Sequence, residues 1–306
     1  MNRRAFTLLE LIVVLAIVAL CAALLLCAVQ QVRVTATRVA CQSQLRQFGL
    51  AFAQYHNTHG RLPTGVGRFP ERNRSDNPDP LAGNPWLAHL LPYLEQEATW
   101  AKIVHAFDRD PYLTEANHSE YYEIQPKIFV CPADDAARRI TTSELSRIGI
   151  TSYLGVSGLN RFRRTGLLYY ESRLSYRDVT DGTSTTLLVG ERPHFVTLRG
   201  FYGSWCRIVP PSPNTTGYHY LGVQESGVDA ELAQVSFPHE CPPGRQTFQR
   251  GRPNHPCNLF HFWSLHPSGA NFLFADGSVR FGAYGIAGIL PDLASRAGGE
   301  VVDVDW

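Results

Sequence analysis

The stretch Leu11-Ile-Val-Val-Leu-Ala-Ile-Val-Ala-Leu-Cys-Ala-Ala-Leu-Leu-Leu-Cys-Ala-Val29 decides the placement of the whole chain. Apart from two cysteines, these 19 consecutive residues include no polar or charged side chain. At about 1.5 Å of rise per residue, a helix of this length covers roughly 28 Å, close to the hydrocarbon thickness of a bilayer, about 30 Å. A core helix of a globular domain would show a polar face. The stretch therefore predicts a transmembrane helix.

A secretory signal peptide is the nearest alternative to a membrane anchor. Its apolar region is usually only about 7 to 15 residues long and ends in a small-x-small cleavage site. A cut after Ala28 would place Leu26 where a small residue is needed. Leucine precedes both Cys21 and Cys27, which suits lipoprotein processing poorly. Retention of the helix as an anchor is the prediction, and these processing routes are the alternative.

A short basic leader precedes the span, because Met1-Asn-Arg-Arg-Ala5 is followed by Phe6-Thr-Leu-Leu-Glu10-Leu11. This segment resembles the type IV prepilin and pseudopilin signature G-F-T-L-x-E, with Ala5 in place of the usual glycine. The resemblance implies that prepilin peptidase cleaves between Ala5 and Phe6, and that the new amino group of Phe6 is methylated. It also implies a pilin-like α+β fold, in which a long N-terminal transmembrane and amphipathic helix packs on an antiparallel β-sheet with large loop insertions.

Glu10 is an acid at the edge of an apolar helix, where an uncompensated carboxylate costs about 2.5 kcal/mol or more. In the pilin family the equivalent glutamate meets the N-terminal amine of a neighbouring subunit inside a filament. The resemblance therefore implies an assembly role for Glu10. The alternative is that its carboxylate simply lies at the level of the lipid headgroups.

The charges around the span do not settle its orientation, since arginines lie on both sides of it: Arg3, Arg4, Arg33, Arg38 and Arg46. The leader must face its peptidase, so the resemblance implies a cytoplasmic N-terminus before processing. It follows that the protein is expected to be a single-pass protein of the bacterial inner membrane with a periplasmic, extracytoplasmic C-terminal domain.

Beyond the span, apolar residues recur at alternating steps of four and three and predict that the helix continues from Phe6 to Thr58. The opposite face carries Arg38, Gln42, Arg46 and Gln54. Gly60 followed by Pro63 is a helix stop signal. The expected organisation is a leader at 1–5, a transmembrane helix at 6–29, its continuation at 30–59 and an extracytoplasmic α+β domain at 60–306. The recurring apolar residues form one stripe along the helix: Cys41, Leu45, Phe48, Phe52 and Tyr55.

The remaining domain is expected to contain an exposed loop at 61–84, a helix from Trp86 to Trp100 interrupted at Pro92, and several short strands. Asp276-Gly277 predicts a hairpin with a type I′ turn, and Asp181-Gly182 predicts a second such turn. The segment 210–256 is rich in Pro, Gly, Asn and His and is expected to be an irregular surface excursion. The predicted strands are 127–131, 151–156, 166–170, 186–189, 201–209, 259–263 and 272–281.

The segment His266-Pro-Ser-Gly-Ala-Asn-Phe-Leu-Phe-Ala-Asp276-Gly277 looks like the C-terminal H-x(9)-D-G signature of a large family of bacterial prepilin-like proteins of unknown function. The blocks at 90–96, 129–134, 180–191 and 298–300 also resemble that family. Asp276 is needed by the turn, and a lone histidine is usually a hydrogen-bonding residue at a strand entrance. We therefore expect His266 and Asp276 to be structural.

The seven cysteines divide into Cys21 and Cys27, which lie in the span and should be reduced, and five others. In an oxidising compartment five cysteines form at most two disulfides, in fifteen ways, and leave one thiol. The first choice is Cys41 with Cys131, which would tie the helix to the sheet. A second disulfide between Cys241 and Cys257 competes with a zinc site, whose four ligands would be His239, Cys241, His255 and Cys257.

Asp178, Asp181 and Glu191 offer oxygen ligands near a turn, and some pseudopilins of secretion systems bind calcium in C-terminal loops. Their spacing does not match a dedicated calcium loop, so solvated turn acids are the default and calcium is the alternative. The prediction is therefore a protein without a cofactor, with calcium or zinc as the alternatives.

The net charge and the missing catalytic motifs argue against several classes of function. The net charge of +1 over 306 residues gives no basis for nucleic-acid binding. Nucleophile elbows, HExxH helices, Walker loops and GxGxxG turns are missing from the sequence. We expect a structural subunit without catalytic residues, whose partners are the inner membrane, prepilin peptidase, and other pseudopilins or copies of itself in a secretion-type or pilus-like filament. The alternative is a tethered extracytoplasmic ligand-binding module that does not polymerise.

Overall fold

A single helix, α1 (Leu8–His59), forms the N-terminal part of the computed structural model. Thr7 caps its start, and Gly60 ends it in the left-handed conformation with φ of 68°, donating its N–H to the His56 carbonyl at 2.8 Å. The predicted stop at Gly60 is therefore confirmed. The structure describes residues 7–67, 84–110, 120–122, 124–134, 149–160, 162–197, 200–202, 205–206, 219–225, 246–253, 255–300 and 302.

The two halves of α1 have different surroundings. Residues 8–36 are exposed on every side, whereas the whole predicted apolar stripe, from Cys41 to Tyr55, is buried. On the opposite face, Arg46 and Gln54 are exposed as predicted. Arg38 and Gln42 are instead half-buried, and the guanidinium carbon of Arg38 lies 4.8 Å from the centroid of the Phe281 ring. The helix thus projects from the domain with its first half and packs on the domain with its second.

The predicted helix from Trp86 to Trp100 is divided. Helix α2 (Trp86–Leu90) is followed by a 3₁₀ turn (Leu91–Tyr93), and helix α3 (Glu97–Arg109) continues beyond the predicted end. Pro92 has no N–H to offer an α-helix, and Glu95 adopts a positive φ of 57°, so the helix cannot continue through this connection.

The described strands form one central sheet of five strands and two smaller sheets of two strands each. In chain order the strands are β1 (Tyr153–Val156), β2 (Leu187–Glu191), β3 (Phe195–Thr197), β4 (Gly200–Tyr202), β5 (Tyr220–Leu221), β6 (Gln224–Glu225), β7 (Gln246–Thr247), β8 (Gly269–Phe274) and β9 (Val279–Ala283). The central sheet has the order β5-β1-β2-β8-β9, and the smaller sheets pair β3 with β4 and β6 with β7.

Neighbouring strands of the central sheet are antiparallel except β1 and β5, which are parallel. A register shift between Leu187 and Val189 interrupts the pairing of β2 with β8. The predicted α+β class and the predominantly antiparallel sheet are therefore confirmed.

Three predicted strands are wrong. The run 127–131 begins with a 3₁₀ turn (Lys127–Phe129), and 259–263 overlaps another (Pro256–Phe260). The run 166–170 is a loop, in which the N–H groups of Leu167 and Leu168 both donate to the Val156 carbonyl. Short buried apolar runs satisfy the same sequence pattern whether they form strands or tightly packed loops, which explains the error. Most of 203–218 and 226–245, including much of the predicted irregular excursion, lies outside the described residues.

Both faces of the central sheet are covered. Leu273 of β8 points into the core cluster formed with α1, α2 and α3, while its neighbours Phe272 and Phe274 point into a second cluster. The second cluster is closed by Phe248, Phe262 and the short helix α4 (Leu290–Leu293), among other residues. The second half of α1 therefore lies on one face of a sheet whose strands β1, β2, β5 and β8 are buried on both sides, while the edge strand β9 is partly exposed.

The β8–β9 hairpin is confirmed, but its turn differs from the prediction. Among Ala275, Asp276 and Gly277, only Gly277 has a positive φ, at 85°, whereas a type I′ turn requires two such residues. The Gly277 N–H donates to the Phe274 carbonyl at 3.0 Å, which gives a three-residue connection ending in a left-handed glycine. At the other Asp-Gly pair only Gly182 has a positive φ, at 99°, so the type I′ prediction is wrong there too.

Candidate functional site

The start of α1 is a reciprocal capping arrangement between Thr7 and Glu10. The backbone N–H and the hydroxyl of Thr7 each donate to Glu10 Oε2 at 2.9 Å, and the Glu10 N–H donates to Thr7 Oγ1 at 3.3 Å. A threonine with a glutamate three residues later is a sequence signature of a helix start. In the single chain, the carboxylate of Glu10 is therefore partnered by the end of its own helix. The predicted processing residues Ala5 and Phe6 lie outside the described residues.

Helix α1 satisfies the length and composition of a membrane span, and it is the one such helix in the described part of the chain. Leu11, Leu15 and Val18 are more than half exposed, and the other described residues of the predicted span are also on the surface. An all-apolar surface of this extent is stable in lipid rather than in water. The helix fits a single-pass membrane anchor.

Where α1 reaches the domain, the structure joins Cys41 to Cys131 in a disulfide with a Cα–Cα distance of 5.2 Å. This is the pair that the sequence favoured, and it ties the helix to the Cys-Pro block. Gln44, one turn further along, accepts a hydrogen bond from the Tyr153 hydroxyl at 2.6 Å. Burial, with the nearby charges of Glu191 and Asp134, raises the pKa of Tyr153 well above its usual value, so the phenol remains a donor to the helix.

The turn of the signature hairpin contacts the helix directly. A Cβ placed on Gly49 would lie 3.0 Å from the Gly277 Cα and 3.2 Å from Leu273 Cδ1. Asp276 shapes this turn, because its Oδ1 accepts the Ser278 N–H at 2.8 Å and its own N–H donates to the Thr183 carbonyl at 3.0 Å. At the Asp-Gly end of the signature, Gly277 therefore packs closely against Gly49 of α1.

The histidine of the signature lies at the other end of β8, in a buried polar cluster. His266 Nε2 is 3.5 Å from Glu191 Oε1 and 3.6 Å from Cys131 Sγ. Asn271 donates its backbone N–H to Glu191 Oε2 at 2.7 Å and its side-chain amide to Oε1 at 2.9 Å. Cys41 completes the set, since one ligand atom from each of the two cysteines, Glu191 and His266 lies within 4.8 Å of the others. We call Cys41, Cys131, Glu191 and His266 the buried cluster.

A second buried polar group is formed by Asp134, His194 and Ser152. Asp134 Oδ2 accepts the Ser152 hydroxyl at 2.9 Å and lies 3.2 Å from His194 Nδ1. In a nucleophilic triad the histidine stands between the serine and the acid, but here the acid stands between the other two. A cavity of about 10 Å³, lined by Asp134 and Glu191 among others, separates this group from the buried cluster and has room for one water molecule at most. This arrangement does not place a nucleophile beside a base.

The acids considered for calcium have separate partners. Asp178 accepts the Ser175 N–H at 2.6 Å, and Asp181 accepts the N–H groups of Gly298 and Gly299 at 2.6 and 2.9 Å. Glu191 belongs to the buried cluster instead. The structure thus does not bring the three acids together, and it joins the 180–191 and 298–300 blocks through Asp181.

The cysteines and histidines considered for zinc are partly outside the described residues, which omit His239 and Cys241. His255 is exposed, and Cys257 is disulfide-bonded, so its sulfur is not a thiolate ligand in this structure. The remaining described cysteines are thiols: Cys21 and Cys27 are exposed on α1, and Cys206 is buried.

Sequence reasoning missed Asn271 and Gly49. Asn271 lies inside the signature, and an amide in an otherwise apolar strand is a signal that something buried and polar faces it. Gly49 lies in the buried half of a long helix, and a glycine in such a position is a signal that another backbone approaches closely.

Comparisons with known proteins agree with these features. The model of a prokaryotic N-terminal methylation motif matches residues 1–26, which contain the leader, Glu10 and most of the apolar span. No curated protein and no solved structure matches the chain. A second family model, described as a protein of unknown function (DUF1559), matches residues 30–287. Because that match covers most of the chain, including the buried half of α1, the sheet and the signature hairpin, the protein belongs to the DUF1559 family and carries a prepilin-type N-terminus.

Proposed function

We propose that this protein is a structural subunit of the prepilin or pseudopilin type, anchored in the bacterial inner membrane by α1. The observation that carries the proposal is the division of one continuous helix into an exposed apolar half and a half buried under the domain. At about 1.5 Å per residue, the exposed residues 8–36 extend roughly 43 Å from the domain, enough to span a bilayer. No catalytic residue and no resident cofactor belong to this proposal.

Processing is the first step of the proposed function. Prepilin peptidase cleaves between Ala5 and Phe6, and the new amino group of Phe6 is methylated. The methylation-motif match and the start of α1 at Leu8, just beyond the cut, support this step. Co-expression with a prepilin peptidase tests it. We expect Ala5→Gly to be cleaved at least as fast as the natural chain and Ala5→Leu to remain uncut; equal cleavage of both variants would contradict the assignment.

Lateral assembly through Glu10 is the second step. In the single chain the Thr7 cap partners the carboxylate, and in an assembly the methylated N-terminal amine of a neighbouring Phe6, which still carries a positive charge, would take that place. Glutamine retains the hydrogen-bonding geometry of a helix cap but removes the charge. Glu10→Gln therefore separates capping from charge pairing, and Thr7→Ala is the matched control that weakens the cap and leaves the charge.

Cross-linking in membranes distinguishes the outcomes. We expect higher oligomers in the natural chain and in Thr7→Ala, and we expect their loss in both Glu10→Gln and Glu10→Ala. Oligomers that persist in Glu10→Gln would contradict charge pairing. A natural chain that stays monomeric at native expression, with its neighbouring pseudopilins present, would instead favour a tethered ligand-binding module.

The domain is proposed to lie outside the cytoplasm. The disulfide between Cys41 and Cys131 supports this, because structural disulfides persist in oxidising compartments. Protease added to spheroplasts should degrade the domain and leave a membrane-protected N-terminal fragment. A domain that resists protease until the membrane is lysed would contradict this orientation.

A further inference from the structure

The buried cluster brings together four side chains of the types that bind metal ions, and two of them, Cys41 and Cys131, are joined in a disulfide. The cluster contains two sulfurs, one imidazole nitrogen and one carboxylate oxygen, all within 4.8 Å of one another. The side chains of His266 and Glu191 are only 2% and 1% exposed. Zn²⁺ takes cysteine sulfur, histidine nitrogen and carboxylate oxygen as ligands, and its structural sites are closed by four protein ligands.

Two of the six distances between ligand atoms are close to the edges of a zinc tetrahedron. With Zn–S of about 2.3 Å, Zn–N of about 2.05 Å and Zn–O of about 2.0 Å, tetrahedral angles place S and N about 3.6 Å apart and N and O about 3.3 Å apart. The structure has Cys131 Sγ at 3.6 Å from His266 Nε2, and that nitrogen at 3.5 Å from Glu191 Oε1. These two distances are therefore close to tetrahedral values even though the two cysteines are joined in a disulfide.

We infer that the thiol form of this domain binds one Zn²⁺ through Cys41, Cys131, His266 and Glu191, so that the disulfide and the metal are alternative links at the same position. A dithiol reductant supplies two electrons and two protons to the Cys41–Cys131 bond and becomes a disulfide itself. The two thiols then lose two protons to solvent as they bind Zn²⁺. A disulfide oxidant reverses the exchange: it accepts two electrons from the thiolates and two protons from solvent, becomes a dithiol, and the Cys41–Cys131 bond forms again as the ion is released.

The surroundings are arranged to hold a ligand carboxylate. Asn271 donates two hydrogen bonds to Glu191 and fixes the orientation of its oxygens. Groups that orient a metal ligand from behind typically raise metal affinity by about 10- to 100-fold. Two thiolates and an imidazole favour Zn²⁺ over Ca²⁺ and Mg²⁺, which prefer oxygen.

The proposed site connects the same elements as the disulfide and adds the signature hairpin. Cys41 belongs to α1, Glu191 to β2, and His266 precedes β8. The metal would therefore tie the anchor helix to the sheet in a chain whose thiols have not been oxidised. It also gives a role to His266, which lies at the opposite end of β8 from the turn that Asp276 shapes.

The test uses the full-length chain in detergent micelles, in a Cys241→Ser, Cys257→Ser background that removes the competing thiols. The protein is reduced without oxygen by a phosphine, then titrated with Zn²⁺, and with Co²⁺ as a spectroscopic probe. We expect one Zn²⁺ per reduced chain, none per oxidised chain, and a Co²⁺ spectrum of tetrahedral coordination with two thiolates. Adding His266→Asn or Glu191→Gln should weaken binding at least tenfold, whereas Cys206→Ser, which removes a thiol outside the cluster, should not.

Near-ultraviolet circular dichroism from the buried Trp86 and Trp205 reports whether the reduced chain keeps its fold. If reduction unfolds the domain, recovery of this signal on adding Zn²⁺ supports the proposal, and failure to recover it overturns it. A folded reduced chain that binds no Zn²⁺ overturns the proposal as well. Zn²⁺ binding that survives Cys41→Ser combined with Cys131→Ser would also overturn it, because the ion would then be bound elsewhere.

Discussion

Replacing Gly49 with alanine sets two known effects against each other on helix α1. Alanine stabilises the interior of a helix by about 1 kcal/mol relative to glycine. The added Cβ, however, would lie 3.0 Å from the Gly277 Cα, 3.2 Å from Leu273 Cδ1 and 3.3 Å from the Gly277 carbonyl oxygen. One of these groups, or the helix itself, must move by a few tenths of an ångström.

The hairpin has little freedom to move. The Gly277 N–H donates a hydrogen bond to the Phe274 carbonyl at 3.0 Å, and the Phe274 N–H donates one to the Ser278 carbonyl at 2.9 Å. Leu273 is fully buried. Overpacking of a closed site typically costs about 1 to 3 kcal/mol. Subtracting the gain of about 1 kcal/mol in helix propensity leaves a net loss of about 1 kcal/mol in the free energy of unfolding.

Chemical denaturation of the oxidised full-length chain measures this change. Ser43→Ala is the matched control, because Ser43 is exposed on the same helix and alanine there should add a few tenths of a kcal/mol. If Gly49→Ala were as stable as the natural chain or more stable, the hairpin would not be tightly docked on α1, and a structural role for the Asp-Gly signature would be contradicted.

Three other perturbations test the domain. Asn271→Ala removes the side-chain donor to buried Glu191 and should lower the free energy of unfolding by about 2 kcal/mol, measured by chemical denaturation. Replacing Cys41 and Cys131 with alanine opens a link across 90 residues and should cost about 4 to 5 kcal/mol by the loop-entropy relation; a loss below about 1 kcal/mol would contradict this. Burial lowers the pKa of His261 to about 4 from an ordinary value of 6.5. The unfolded chain therefore takes up a proton at a higher pH than the folded chain does. As the pH falls from 6.5 towards 4, the free energy of unfolding should decrease by about 3 kcal/mol in all. Thermal melts across that range should show this loss, and a His261→Gln chain should show a flatter dependence.

The sequence patterns that succeeded are those in which one physical requirement acts locally. Alternating steps of four and three place Cys41 to Tyr55 on one face of a helix, and burial of that face follows from its composition. The Asp276-Gly277 pair between apolar runs predicts a hairpin because glycine readily supplies the left-handed conformation. The turn type was wrong because the same pair also fits a three-residue connection, in which only the glycine has a positive φ.

The buried cluster could not be predicted in the same way, because its members meet through the fold. Glu191 and Asn271 are 80 residues apart in sequence, and Cys131 and His266 are 135 apart. Each is unremarkable in its own segment: Glu191 follows a strand-like run, and His266 precedes a hairpin. Their proximity follows from the β2–β8 pairing and from the disulfide, and neither pairing is encoded in local periodicity.

Whether this chain is a processed prepilin-like subunit is tested most directly by the intact mass of the protein extracted from membranes of its natural host. We predict a chain that begins at Phe6, lacks residues 1–5 and carries one methyl group on its N-terminus. A tandem spectrum of the N-terminal peptide locates that methyl group on the Phe6 amine. A membrane-bound protein whose mass includes an intact leader, with Met1 or Asn2 as its first residue, would contradict this prediction.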